Sequence, residues 1–230
     1  MKLFKASIAV ALCAGLFVSS CNMSNTGKGS LIGGGSGGAL GAGIGALIGG
    51  GKGAAIGAGV GAAVGAGAGA LIGNKMDKQQ KKLEEELANA KVEQTTDKNG
   101  LQAIRVTFDG GILFPTGKWT INKNAQAELR QFAQSLQQNP MTDVAIIGYT
   151  DNTGGMEVNQ RVSTNRADAV KTFLNNSGVA NSRMTAEGLP MQDYVADNST
   201  AAGRAQNRRV EVFIYASPEM IKAAEEGTLK

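Results

Sequence analysis

The residues with most chemical potential lie in two short stretches. Thr150-Asp151-Asn152-Thr153-Gly154 follows a mostly apolar run, residues 144–149, that reads as a buried strand. A carboxylate at a strand end, set among turn residues, stands where binding groups tend to sit. Arg166 falls inside the apolar arc formed by Val162, Ala169, Val170 and Phe173 on a helix expected over residues 157–175. An arginine there needs an anion or an opening to solvent, because an unpaired buried charge is costly. Three arrangements satisfy it: an internal Asp151–Arg166 salt bridge, a guanidinium that reaches the edge of the fold, or an open site where both charges meet a ligand. The chemistry on offer is recognition. The chain has no histidine, which removes Ser-His-Asp and Cys-His pairs and imidazole metal ligands. Neither stretch holds a nucleophile beside an activating base, so the expectation is a protein that is not an enzyme. Two cysteines, Cys13 and Cys21, are too few for a disulfide scaffold or a Cys-rich zinc site. No metal and no cofactor is expected.

These stretches must be positioned by a chain of very uneven composition. Of 230 residues, 33 are glycine, and 21 of those lie within residues 27–73. Net charge is +4 and aromatics are 5%. The basic excess is small and scattered, and the aromatics are too few for base stacking, so no nucleic-acid partner is expected.

Residues 1–20 read as a signal peptide: Lys2 and Lys5, then an apolar run over 8–18 too short to span a membrane. The run ends Val18-Ser19-Ser20-Cys21, which resembles a bacterial lipobox. That resemblance implies cleavage before Cys21, a lipid on its thiol and an acylated new amino terminus. Several acyl chains anchor stably, at about 0.8 kcal/mol per buried methylene. Asn22 in place of aspartate implies sorting to the outer membrane, with the C-terminal domain in the periplasm. Residues 21–30 form the lipidated tether.

Residues 31–73 form a repeat. Glycine recurs at every fourth position from Gly33 to Gly73, within eight-residue units such as Gly41-Ala-Gly-Ile-Gly-Ala-Leu-Ile48. Period four is one ridge of a helix, and small residues on it allow close helix approach. In water this much glycine opposes a helix by about 1 kcal/mol per residue relative to alanine, whereas in lipid the backbone must satisfy its own hydrogen bonds. Residues 31–48 and 53–72 each approach one hydrocarbon thickness, with Lys52 in the turn between them. The expectation is a membrane-inserted helical hairpin that resembles glycine-zipper segments and is able to form homo-oligomers. A Gly-rich linker is the alternative, opposed by partners that are Ala, Ile, Leu and Val rather than Ser. Residues 74–91 read as a polar helical spacer, with Lys81 and Lys82 four residues before Glu85 and Glu86, and Leu83 and Leu87 as a thin apolar stripe.

Residues 92–216 read as an α/β domain of helices packed against a sheet. Strands are expected at 93–96 and 101–108, flanking a turn at 97–100, and at 144–149, 183–187 and 209–215. Helices are expected at 122–138, with Ala125, Leu129, Phe132, Ala133 and Leu136 on one face, and at 157–175. Residues 217–230 read as a C-terminal tail.

Three stretches then carry a resemblance: residues 147–154 (IGYTDNTG), 159–170 (NQRVSTNRADAV) and 198–212 (NSTAAGRAQNRRVEV). In order and spacing they resemble the OmpA-like peptidoglycan-binding domain. With the lipobox and the repeat, the whole chain resembles OmpA-family lipoproteins of the YiaD type. The resemblance implies noncovalent binding of the diaminopimelate in peptidoglycan stem peptides, with Asp151 and Arg166 as the binding pair. It implies supporting roles for Thr116, Gly117, Thr150, Asn165, Arg204 and Arg208. Tyr149 departs from the family's common histidine and Pro115 from a common acidic residue. Peptidoglycan and membrane lipid are the implied partners. A tether between outer membrane and cell wall is the leading reading. An oligomerising component of a pore or envelope machine, fixed to the wall, is the other.

Overall fold

The structure is a computed structural model and describes residues 64–97, 99–115 and 117–230. The signal segment, Cys21, the glycine hairpin up to residue 63, and Thr116 lie outside the described residues.

Five strands form one sheet in the order β1-β2-β5-β3-β4: β1 (Ala90–Thr96), β2 (Gln102–Asp109), β3 (Thr142–Tyr149), β4 (Met184–Leu189) and β5 (Arg209–Ala216). The β1–β2 hairpin is antiparallel, and so are β2–β5 and β3–β5, with Val106 opposite Val212 and Ile146 opposite Val212. Only β3 and β4 are parallel, and the crossover between them is a helix, as parallel pairing requires. The helices are α1 (Ala66–Glu86), α2 (Gly110–Leu113), α3 (Lys123–Gln138), α4 (Met156–Asn176), α5 (Ala201–Asn207) and α6 (Pro218–Glu225). This is the α/β architecture expected, with two additions at its ends.

Strand alternation sorts the side chains. Ile104, Val106, Phe108, Val144, Ile146, Val210, Val212 and Ile214 face the helices and are buried. The α3 residues Ala125, Leu129, Phe132, Ala133 and Leu136 pack on them, all buried as their spacing predicts. Phe108 and Phe132 meet edge to face, with centroids 5.6 Å apart. Each fully buried aliphatic or aromatic side chain contributes about 1.5–3 kcal/mol. Arg183 ties the end of α3 to the start of β3, donating to the carbonyls of Leu136 (3.0 Å), Asn139 (2.8 Å) and Thr142 (2.7 Å). The Leu136 carbonyl is among those that a helix end leaves without an intrahelical partner.

The first addition is α1. It runs unbroken through the expected boundary at residue 73 and buries Ala68, Ile72, Met76, Leu83 and Leu87 in the same core. Residues 66–72 therefore pack on the domain and leave the expected second membrane arm. The polar spacer is one face of this helix. Among the described residues no helix is long and apolar enough to cross a membrane. Glu128 of α3 secures the α1–β1 link by accepting from the Asn89 amide at 2.7 Å. The second addition is α6, within the expected tail. Ser217 caps it, its hydroxyl accepting from the Met220 amide (3.2 Å), and Pro218 opens its first turn. Met220, Ile221 and Ala224 are buried in the shared core. The domain thus extends beyond 92–216 at both ends.

Candidate functional site

The crossover α4 lies unusually low on the sheet. A Cβ on Gly148 of β3 would collide with the Ser163 carbonyl, and one on Gly188 of β4 with the Thr164 amide. Two glycines side by side on paired strands thus let the helix backbone settle against the sheet. Ser163 is completely buried there, and Arg166, one turn further, is drawn into the fold with it.

The other half of the site is the turn after β3. Asp151 Oδ1 accepts from the Thr153 amide (2.9 Å) and from the Thr153 hydroxyl, an Asx-type turn that fixes its own backbone. Gly154 takes a left-handed φ of +86° to complete the bend. Asn159, in the first turn of α4, donates Nδ2 to the carbonyls of Thr153 (2.8 Å) and Gly155 (3.1 Å). Thr150 is buried, its hydroxyl accepting from the Met191 amide at 3.1 Å.

The two charges do not pair with each other. Asp151 Oδ2 accepts from Arg208 Nη1 at 2.6 Å, and the side chains are 5% and 40% exposed respectively. Arg166 is 4% exposed. Its Nε donates to the Lys118 carbonyl (3.2 Å) and its guanidinium lies 5.3 Å from the centroid of the Phe114 ring, a cation–π distance. No other hydrogen bond joins the Arg166 fork to a described residue. Burial, then repulsion by Arg208, lowers the Arg166 pKa, with Asp151 opposing. Burial pushes the Asp151 carboxyl up, but its bonds to Thr153 and to Arg208 outweigh that and hold it below the ordinary value. One anion and two cations therefore share a small volume, and Arg208 replaces Arg166 as the partner in the internal salt bridge that the sequence left open.

The remaining candidates divide. Gly117 takes a left-handed φ of +68°, beside the Lys118 carbonyl that holds Arg166. Asn165 is half-buried on α4. Arg204 donates Nη1 to the carbonyls of Asn198 (2.7 Å) and Ser199 (3.1 Å); it is spent on its own loop and is not brought to Asp151. Four participants are not among the site residues that the sequence singles out. Thr153 was detectable from the Asp-x-Thr spacing of an Asx turn, and Asn159 from a polar residue at a helix start. Phe114 and the Lys118 carbonyl had no signal. Tyr149 faces away, on the helix-free side of the sheet, with Arg209 stacked 3.9 Å from its ring centroid. Arg209 is itself held by Glu211 at 2.6 Å. Among the described residues no cluster of His, Cys, Asp or Glu could hold a metal.

A buried carboxylate and a buried guanidinium, with a second, more exposed guanidinium on the carboxylate, thus gather at the strand ends of an α/β domain. Residues 113–208 match the OmpA family, and residues 1–81 match the YMGG-like Gly-zipper family. The domain is thus similar to the OmpA family, and the segment before it to the Gly-zipper family. Over 142 residues it is 38% identical to the probable lipoprotein YiaD of Escherichia coli, covering 62% of this chain and 64% of that one. It is 37% identical over 112 residues to the peptidoglycan-binding protein ArfA of Mycobacterium bovis, covering 49% of this chain and 34% of that one. The cell wall anchor of the T6SS from Pseudomonas aeruginosa superposes with a TM-score of 0.51 at 26% identity, over 62% of this chain and 97% of that one. The chain thus spans less than two thirds of the length of either of the first two relatives.

Proposed function

We propose that the protein is a noncatalytic lipoprotein that tethers the outer membrane to the cell wall. Cys21 carries the lipid, the glycine segment up to residue 63 inserts in the membrane, and the domain holds peptidoglycan in the periplasm. Asp151 and Arg166 bind the free end of diaminopimelate, which bears an ammonium and a carboxylate on one carbon. Asp151 accepts from the ammonium, and the planar Arg166 fork grips the carboxylate through two bonds. The observation that carries this reading is Arg166 itself: a buried guanidinium held by one carbonyl and one ring face, with its fork uncommitted among the described residues. A purely structural arginine would have its donors spent, as Arg183 and Arg209 have.

The test is retention on purified peptidoglycan. Asp151→Ala and Arg166→Ala should each lose retention, at roughly 2–5 kcal/mol of binding. Arg166→Lys should also bind poorly, because a point charge cannot reproduce a two-pronged grip. Amidating the ligand's carboxylate should reproduce the Arg166 loss. Full retention by both alanine variants would refute the assigned pair. Cys21→Ser should abolish acyl labelling; unchanged labelling would refute the anchor.

A further inference from the structure

The site holds a cation that a zwitterionic ligand does not need. We infer that Arg208 is an internal placeholder: in the empty site its guanidinium occupies the Asp151 oxygen that a ligand's ammonium takes, and it must leave that oxygen for the ligand to bind. The inference rests on the reading of Asp151 as the ammonium's partner.

The two carboxylate oxygens are differently committed. Oδ1 is bound to the amide and hydroxyl of Thr153 within its own turn, and an incoming ligand has no need to displace them. Oδ2 is the oxygen turned toward another element, and Arg208 Nη1 stands on it at 2.6 Å. With the Asp151 side chain 5% exposed, Oδ2 is open to competition chiefly where Arg208 now sits.

Arg208 is built to let go. Its backbone is clamped: the amide donates to the Arg204 carbonyl (3.1 Å), and the carbonyl accepts from the Gly110 amide (2.8 Å). A Cβ at Gly110 would collide with that carbonyl, so glycine is needed for the clamp. The side chain by contrast is 40% exposed and has a single hydrogen-bonding partner, Asp151. Its neighbour Arg209 shows the opposite design. Buried at 4% exposure, it is held by Glu211, the Asp193 carbonyl and the Tyr149 ring. A fixed backbone with one exposed, singly held side chain describes a group that swings between Asp151 and solvent. Placed so, it neutralises Asp151 when no ligand is bound, and it sets affinity through the fraction of molecules in which the oxygen is free.

The experiment measures binding of meso-diaminopimelate to the full chain in detergent, by calorimetry at low and at high salt. If the placeholder is seated in about 70–90% of empty molecules, Arg208→Gln should bind about three- to tenfold tighter, because apparent affinity scales with the competent fraction. The native protein should show a shallow salt dependence, since salt weakens the internal pair and the ligand pair together. Arg208→Gln, having only the ligand pair, should show a steeper one. A damaged fold weakens binding, so a gain has no such explanation. If Arg208→Gln does not fold, Arg208→Lys, with its single-pronged grip, should show a smaller gain in the same direction. Equal or weaker binding by a folded Arg208 variant, with Asp151→Ala still inactive, overturns the placeholder alone. Normal binding by Asp151→Ala overturns the site beneath it.

Discussion

Two aspartates a few residues apart respond to pH in opposite senses. The carboxyl of Asp151 lies below its ordinary value, so its contribution to stability is present above the unfolded-state value and is lost as pH falls through the folded one. Peptidoglycan retention should therefore persist at pH 4 and fail only below it; loss already at pH 5 to 6 would contradict the assignment. Asp143, on β3, is raised to about 6 by burial and by Glu219, with Arg183 opposing. Here the folded state binds the extra proton, so stability falls as pH rises from about 4 through 6. Asp143→Asn should flatten that slope and stabilise the domain at pH 7.5 by on the order of 1 kcal/mol, a figure discounted for partial exposure. Melting curves from pH 4 to 8 would check it, and an unchanged slope would refute it. The positions of Asp151 and Arg166 were legible in the sequence because a strand end and an apolar arc are local patterns. The Asp151–Arg208 pair was not, because it joins residues 57 apart, and only the fold sets that distance.

At the scale of elements, the close seat of α4 is the feature most exposed to test. Gly148→Ala or Gly188→Ala must lift the helix from the sheet, since the nearest atom met in each case is helix backbone, at about 1–3 kcal/mol. Because α4 also carries Arg166, both variants should lose affinity for peptidoglycan, whereas an alanine at Gly155, which meets nothing within 4 Å, should leave it intact. Circular-dichroism melting beside a retention assay separates the cases. Elements with strong periodicity were readable: α3 shows its buried face in the sequence, and β3 is a plain apolar run. The helix α1 was not readable as part of the domain. Its buried line of Ile72, Met76, Leu83 and Leu87 passes through Gln79, itself buried, and begins inside the glycine repeat, so membrane and core signals overlap. Helix α6 shows only Met220, Ile221 and Ala224, too few to stand out from a polar terminus.

For the whole molecule, the consequence of those two helices concerns where the domain can be cut. α1 and α6 pack together on the core. A fragment of residues 92–216 would expose the surfaces that Ile72, Met76, Leu83, Met220 and Ile221 cover, each worth about 1.5–3 kcal/mol. Against a typical total of 5–15 kcal/mol, that fragment should be unfolded or aggregated at 37 °C, while residues 64–230 should melt cooperatively. A well-dispersed amide spectrum from the shorter fragment would refute this. The domain and the end of the Gly-zipper segment thus pack as one unit from residue 66 onward, with no free linker between α1 and the sheet.

The place of β5 in the sheet carries a consequence for timing. The β1–β2 hairpin and the β3–α4–β4 unit do not pair with each other; only β5 joins them, and it is the final strand to be synthesised. Until residues 209–216 have emerged, the chain has two separate half-sheets with open edges, each able to form early from neighbouring sequence but neither able to close the core. Arg208, immediately before β5, reaches Asp151 in the same event. The sheet therefore stays open until nearly the whole domain has been synthesised, and the candidate site is assembled in the same late step that completes the fold.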